Sequence, residues 1–149
     1  MSRLLLLLHS ISSYCYYRIN SKAISKFIDY LIRFSHGAWI PGSAIVGTRT
    51  RFAYGGLGIV LHNRAVIGND CLIDQNVTIG GTSKKWGVPK LGNHVYVGAN
   101  AVIIGPIEIG DNVVIGANAL VNRSVPSNSL VVGVPARVIK TGIKMSSYV

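Results

Sequence analysis

A six-residue repeat runs from about Val46 to Val125, and it constrains the fold more strongly than any other feature of the chain. Its aliphatic positions are Leu61, Ile67, Ile73, Ile79, Leu91, Val97, Ile103, Ile109, Ile115 and Val121. A glycine or a small polar residue follows most of them. A period of six fits neither an α-helix nor an isolated strand, but it fits a chain that turns a corner every six residues and closes a triangular coil every eighteen. The repeat therefore predicts an all-β solenoid of about five coils, each burying its aliphatic residues against the next.

Composition indicates one folded and strongly basic domain. The chain has 149 residues, of which 49% are hydrophobic and 13% charged, and this balance argues against disorder. Fifteen Lys and Arg residues against five Asp and Glu give a net charge of +10, which favours an anionic partner. The basic residues are scattered without a nucleic-acid-binding motif, so we expect a phosphorylated cofactor or a membrane surface, and no nucleic acid. Cys15 and Cys71 lack metal-ligand spacing, so we expect buried, reduced thiols and no metal.

Residues 1–36 lack the repeat and are expected to form short N-terminal α-helices. The apolar run from Leu4 to Leu8 is too short to span a bilayer and has no signal-peptide cleavage site after it. A second helix is expected to carry most of its apolar residues on one face, namely Phe27, Ile28, Leu31, Ile32 and Phe34. We expect these helices to pack on the solenoid, with peripheral contact to an anionic membrane as the alternative. The expected parts are a helical segment at 1–36, the β-helix at 37–125 and a C-terminal cap at 126–149.

His62 occupies a repeat position that elsewhere holds glycine or a small polar residue. Two irregular stretches, 52–58 and 81–90, flank it in sequence, and inserts of this kind often build the binding surfaces of solenoids. Steps of eighteen from His62 reach Gly80, Gly98 and Gly116. This spacing predicts a column without side chains that forms a groove leading to the imidazole. Because neutral imidazole is the commonest general base near neutral pH, we predict that His62 is catalytic.

The repeat resembles that of the hexapeptide-repeat acyltransferases, which fold as a left-handed parallel β-helix. Within that group, the stretch 58–82, the segment 104–110 and the ending Gly133-Val-Pro-Ala-Arg137 are similar to serine O-acetyltransferases, over about residues 40–140. The resemblance implies acetyl-CoA as co-substrate, a homotrimer, and direct transfer in a ternary complex without an acyl-enzyme. In agreement, Cys71 has no adjacent base that would make it a nucleophile.

Several positions depart from the serine acetyltransferase pattern. Tyr54 and Gly55 stand where those enzymes have Asp-His, Val88 replaces their second histidine, and their partner aspartate falls near Trp39. The stretch Gly55 to His62 instead resembles a sugar-directed branch found beside polysaccharide genes. We therefore expect acetylation of a hydroxyl or amine of a sugar in surface polysaccharide biosynthesis. The alternatives are serine O-acetylation in cysteine biosynthesis and a non-catalytic β-helix scaffold.

The resemblance also indicates which residues contact the substrates. Thr82, Ala99 and Ala117 match positions that contact acetyl-CoA in the family, and terminal cations would meet its phosphates. The expected cofactor-binding set is Gly80, Gly81, Thr82, Ala99, Ala117, Arg137 and Lys140. Candidate acceptor contacts are Tyr54, Asn63, Lys84, Lys85 and Trp86. Asp70, Asp74 or a backbone carbonyl would orient the His62 ring. The expected location is the cytoplasm, with the inner face of the membrane as the alternative place.

Overall fold

The structure, a computed structural model, describes residues 3–149. Two helices, α1 (Arg3–Tyr17) and α2 (Lys22–His36), precede a solenoid with three faces, and the solenoid strands within each face are parallel. Face 1 contains β1 (Ile45–Val46), β4 (Val66–Ile67), β7 (Lys90–Leu91) and β10 (Glu108–Ile109). Face 2 contains β2 (Arg51–Phe52), β5 (Leu72–Ile73), β8 (Tyr96–Val97) and β11 (Val114–Ile115), extended by β13 (Ser129–Gly133) and β14 (Ala136–Thr141). Face 3 contains β3 (Val60–Leu61), β6 (Thr78–Gly80), β9 (Val102–Ile104) and β12 (Leu120–Val121).

The aliphatic positions of the repeat form the core, as the six-residue period predicts. All of those named above are buried, and Ile73, Ile79 and Ile103 are fully inaccessible. The left-handed parallel β-helix with two N-terminal helices is thereby confirmed. The solenoid has four coils and not five, because two of its coils are longer than eighteen residues, at 21 and 24. Beyond Val125, β13 and β14 form an antiparallel hairpin.

Left-handed residues turn the four corners between faces 1 and 2: aspartate and asparagine at two of them, and Arg49 and His94 at the others. Asp70 and Asn112 adopt left-handed backbone with φ of 56° and 55°, a conformation that these two residue types tolerate better than most. Beside them, the Asn69 N–H donates to Asn93 Oδ1 at 2.9 Å, and the Asn93 N–H donates to Asp111 Oδ1 at 2.6 Å. The residue types at 69–70 and 111–112 thus favour these turns, and their side chains also join neighbouring coils.

The vertical stacking differs from a simple count of eighteen. Val60 pairs with Thr78 eighteen residues later, but Thr78 pairs with Val102, which is twenty-four residues further along. The loop 81–89 adds six residues to that coil. A uniform coil of eighteen residues predicts the columns Ile73–Leu91–Ile109 and Ile79–Val97–Ile115, and both are wrong. The observed columns are Ile67–Leu91–Ile109, Ile73–Val97–Ile115 and Ile79–Ile103–Val121.

A buried polar cluster fixes the two helices to the first coil. The carboxylate of Asp29 on α2 accepts the hydroxyl of Ser12 on α1 at 2.6 Å and the backbone N–H of Gly42 at 3.0 Å. The Ser12 hydroxyl also lies 2.9 Å from that of Ser25. The helices thus cover one end of the solenoid, while the hairpin extends face 2 at the other. The division at 36/37 and 125/126 stays a prediction.

Cys15 and Cys71 are buried free thiols, as expected. Within residues 3–149, no helix combines the length and apolarity that crossing a membrane requires.

Candidate active site

His62 lies where face 3 ends and the chain turns toward face 1, a corner that we call edge 3–1. Its backbone N–H donates to the carbonyl of Ile79 at 2.8 Å, so the residue is held by the sheet directly above Gly80. The side chain is partly exposed. A Cβ added to Gly81 would come within 3.9 Å of His62 Cδ2. The start of the 81–89 loop therefore runs beside the partly exposed imidazole.

The imidazole is oriented by the backbone and not by a carboxylate. The Arg64 N–H donates to His62 Nδ1 at 3.1 Å, so the neutral ring in this arrangement carries its proton on Nε2. The expected carboxylate partners are engaged elsewhere, since Asp70 pairs with Arg49 at 2.6 Å and Asp74 accepts the Tyr96 hydroxyl at 2.7 Å. The three expected partners, Asp70, Asp74 and a carbonyl, are therefore wrong for this ring.

The electrostatic surroundings keep the ring neutral. Burial, and secondarily the nearby positive charge of Arg64, lower the pKa of His62 below its ordinary value of 6.5. A neutral imidazole at physiological pH has one nitrogen lone pair that can accept a proton. The ring therefore has the charge state that a general base requires, while its lone pair on Nδ1 accepts the Arg64 N–H.

Arg64 connects the histidine to the loop, although the sequence alone did not single it out. Its guanidinium lies 4.2 Å from the centroid of the Trp86 ring in a cation–π contact. A cavity of about 370 Å³ opens between these two residues and the next coil, with Val88, Lys90 and Pro106 in its wall. The sequence feature that could have identified Arg64 is its position, two residues after His62 and on the coil before the one from which the loop emerges.

Gly87 anchors the loop against the solenoid. A Cβ at this position would overlap the Cβ of Pro106, so only glycine permits so close an approach. Trp86, immediately before it, is 86% exposed, and Lys84 and Lys85 are exposed as well. The loop is thus pinned at its base and presents an aromatic ring and two cations to solvent.

The expected column of His62, Gly80, Gly98 and Gly116 is correct for its first two residues and wrong for the last two. Gly80 pairs with Ile104 and not with Gly98, because of the six extra residues in the loop. Gly98 and Gly116 follow β8 and β11, so they lie at the corner between faces 2 and 3, which we call edge 2–3. The residue at the matching position one coil earlier is Asp74.

The predicted site residues fall into two groups within one chain. His62, Asn63, Gly80, Gly81, Thr82, Lys84, Lys85 and Trp86 lie at edge 3–1 or in its loop. Tyr54, Ala99 and Ala117 lie at edge 2–3, while Arg137 and Lys140 lie on β14 of face 2. The break at 52–58 therefore does not flank His62 in space. It forms a turn at edge 2–3 in which Tyr54 has a φ of 50° and is 74% exposed.

Cys71 does not provide a nucleophile. Its thiol is buried and lies 3.3 Å from the carbonyl oxygen of Gly92. Burial raises the pKa of this thiol above its ordinary value, which disfavours the reactive thiolate. This agrees with transfer that forms no acyl-cysteine.

Comparison with known proteins matches this architecture to one group. Residues 89–123 match the bacterial transferase hexapeptide family (six repeats). The serine acetyltransferase of Synechococcus elongatus is 40% identical over 132 residues, which are 87% of this chain and 54% of that protein. The chain belongs to the hexapeptide-repeat acyltransferases. It spans about half the length of the curated relatives that it matches.

Solved structures agree in both fold and sequence. The serine acetyltransferase of Neisseria gonorrhoeae superposes with a TM-score of 0.87 at 34% identity, over 96% of this chain and 55% of that one. A serine acetyltransferase in complex with CoA gives a TM-score of 0.83 at 34% identity, over 91% of this chain and 55% of that one. These relatives contradict the expected polysaccharide acceptor and its sugar-directed branch, because they are serine acetyltransferases. The alternative acceptor class is the one that the comparisons favour.

Proposed function

We propose that this protein is an acetyl-CoA-dependent O-acetyltransferase whose acceptor is the hydroxyl of serine, with His62 as the general base. The observation that carries the proposal is a neutral, partly exposed imidazole at the end of β3, bordered by the 81–89 loop. The acceptor class is supported by relatives that are 37–42% identical and are named serine acetyltransferases. The donor is supported by the CoA complex of a similar structure.

The reaction that these residues support is direct transfer. The acceptor oxygen attacks the thioester carbonyl carbon, and its proton passes to the imidazole. The C–S bond then breaks, and the imidazolium returns the proton to the CoA sulfur. For Nε2 to act as the base, the ring must exchange to the Nδ1–H tautomer and give up its 3.1 Å bond from Arg64. That bond lies at the long end of the range for N–H donors and is correspondingly weak.

A homotrimer would unite the two groups of site residues. Edge 3–1 and edge 2–3 are different corners of one triangular prism, so face 3 separates the two groups within a single chain. Around a threefold axis, edge 3–1 of one copy can face edge 2–3 of the next. In this arrangement, Gly81 and Thr82 would contact acetyl-CoA from one side, and Ala99 and Ala117 from the other. Arg137 and Lys140 would then neutralise its phosphates.

Edge 2–3 also supplies a carboxylate for an amino-acid acceptor. Asp74 is partly buried and accepts the Tyr96 hydroxyl through one oxygen, Oδ2. Burial and this bond to the negative Asp74 raise the pKa of Tyr96 to about 12, so the phenol stays protonated as a donor. An ammonium group beside a carboxylate and aromatic rings is well stabilised. Asp74 thus offers a charge partner at an edge where the relatives' Asp-His is replaced by Tyr54 and Gly55.

The acceptor assignment predicts a clear preference among small hydroxyl compounds. Release of free CoA thiol would be measured with L-serine, D-serine, L-threonine and, as the acceptor without a hydroxyl, L-alanine. We expect kcat/KM for L-serine to exceed that for the others by at least about tenfold, the scale that one misplaced group costs in a fitted site. Thiol release that is equal for L-serine and L-alanine would contradict the proposal.

The pH dependence should report His62 and its neighbour Arg64. Because the base acts when neutral, kcat/KM should be highest above the His62 pKa and should fall as the pH drops through that value, below 6.5. Arg64→Gln removes a positive charge that lowers the pKa, so the acidic limb should move to higher pH. Trp86→Leu removes the stacking partner of Arg64 but keeps the charge, so its limb should stay in place. An unmoved limb in Arg64→Gln would show that another group controls it.

A further inference from the structure

Each of the two N-terminal helices carries large apolar side chains that are 43–85% exposed within residues 3–149. In α1 they are Leu4, Leu7, Ile11 and Tyr14, and in α2 they are Ile24, Phe27, Leu31 and Phe34. Both sets follow the spacing i, i+3, i+7, i+10, which places each set along one face of its helix. Phe27 is 63% exposed and Phe34 is 85% exposed. We call these two sets the apolar stripes.

These stripes are not the faces that attach the helices to the solenoid. The single apolar face expected for the second helix is therefore wrong, because Ile28 and Ile32 are buried while Phe27, Leu31 and Phe34 are exposed. The attaching faces contain Leu5 and Ile32, which are fully buried, and the Ser12–Asp29 cluster. Each helix therefore has two apolar or packed faces, one already used and one open. An open stripe of this size on a solvent-facing helix typically marks an interaction surface.

The charges around the stripes all have one sign. The helices and their connection contain five cations, Arg3, Arg18, Lys22, Lys26 and Arg33, and each is exposed. The one acidic residue before position 37 is Asp29, which is buried among the hydrogen bonds of its cluster. None of these five cations forms a salt bridge within residues 3–149. The surface thus combines apolar side chains with unpaired positive charge.

We propose that the apolar stripes and their basic flanks dock this protein on the surface of an anionic lipid bilayer. Exposed Leu, Ile and Phe side chains insert at the boundary between headgroups and acyl chains, and the cations meet the lipid phosphates. Each helix is 15 residues long, about 22 Å at the usual rise, so each lies on the surface and does not cross it. Charge complementarity selects this partner, because a second copy of the same helices would present the same positive charge.

The experiment measures sedimentation of the full chain with vesicles. Equimolar phosphatidylglycerol and phosphatidylcholine are compared with phosphatidylcholine alone. We expect binding to the anionic vesicles, weakened by salt, and at least about tenfold weaker binding to the neutral ones. Phe27→Gln combined with Leu7→Gln should weaken anionic binding by about tenfold or more. Ile139→Gln, at an equally exposed aliphatic residue of β14, is the matched control and should bind like the parent.

A second variant separates charge from apolar contact. Lys26→Gln with Arg33→Gln removes two helix cations and should weaken binding by about 25-fold, at about fivefold for each charge. Lys144→Gln, an exposed cation outside the helices, should have little effect. Equal binding to neutral and anionic vesicles would overturn the proposal. Vesicle binding of the stripe variants equal to that of the parent would also overturn it. A third contrary result is a stripe variant that forms a smaller assembly than the parent in sedimentation without lipid, because the stripes would then lie between copies of the chain.

Discussion

Replacement of His62 by alanine is expected to lower kcat for CoA thiol release by about 10²–10⁴-fold, with a much smaller change in the KM for acetyl-CoA. A positioned general base contributes on this scale to proton transfer in the transition state. Because His62 is partly exposed and its backbone N–H makes the sheet bond to Ile79, removal of the ring leaves the fold intact. The readout is the steady-state rate at a pH above 7, where the imidazole is neutral. A rate near that of the parent protein would remove His62 from the mechanism.

A glutamine at the same position distinguishes two roles of the ring. In the observed arrangement the proton lies on Nε2, so the ring is also able to donate a hydrogen bond to the thioester oxygen. The amide of His62→Gln can donate such a bond, but it cannot accept a proton. If His62 is the base, the glutamine variant should lose as much activity as the alanine variant. Retention of activity within about tenfold of the parent would show that the ring acts as a donor.

Asp29→Ala should be among the most destabilising substitutions in the N-terminal region. It leaves the Ser12 hydroxyl and the Gly42 N–H without their shared acceptor inside a buried cluster. Loss of a buried carboxylate with two donors costs about 2–4 kcal/mol of unfolding free energy. For a chain of this length, that corresponds to a fall in Tm of roughly 5–15 °C. Thermal unfolding followed by circular dichroism would measure the shift.

Two companion variants test whether the cluster is the cause. Asp29→Asn keeps an oxygen that accepts both hydrogen bonds, so it should recover about half of the lost stability. Ser10→Ala removes a hydroxyl on the exposed face of α1 that bonds only to the carbonyl of Leu6, and it should change stability by less than about 0.5 kcal/mol. If Asp29→Ala were no more destabilising than Ser10→Ala, the cluster would not hold the helices in place.

The corners of the solenoid show which local features could be read in advance. Asp70 and Asn112 turn the chain because their own side chains tolerate left-handed backbone, a property that depends on residue type alone. The burial of Ile73 and Ile79 follows in the same way from their place in the repeat. The position of His62 beside its loop also follows, since the loop begins nineteen residues later at Gly81, directly after the coil closes.

The contacts of the site between residues far apart in sequence could not be predicted in this way. The loop 81–89 adds six residues to one coil, and this moves Gly98 to a different edge from Gly80. The contact between Arg64 and Trp86 depends on the path of the same loop. Tyr54, eight residues before His62, lies at the opposite end of face 3. Sequence distance is a poor guide here, because one irregular insert lengthens by six residues every vertical pairing that spans it.

The six-residue repeat by itself determined the solenoid, its buried aliphatic columns and the exposed place of His62, since each of these follows from short-range periodicity. Only the tertiary structure decided which corner each glycine occupies, which group orients the imidazole, and which helix faces remain open. Those features depend on the register between coils and on contacts such as that between Asp29 and Gly42. Register is set where chain segments far apart in sequence meet, and a repeat whose steps all look alike does not encode it.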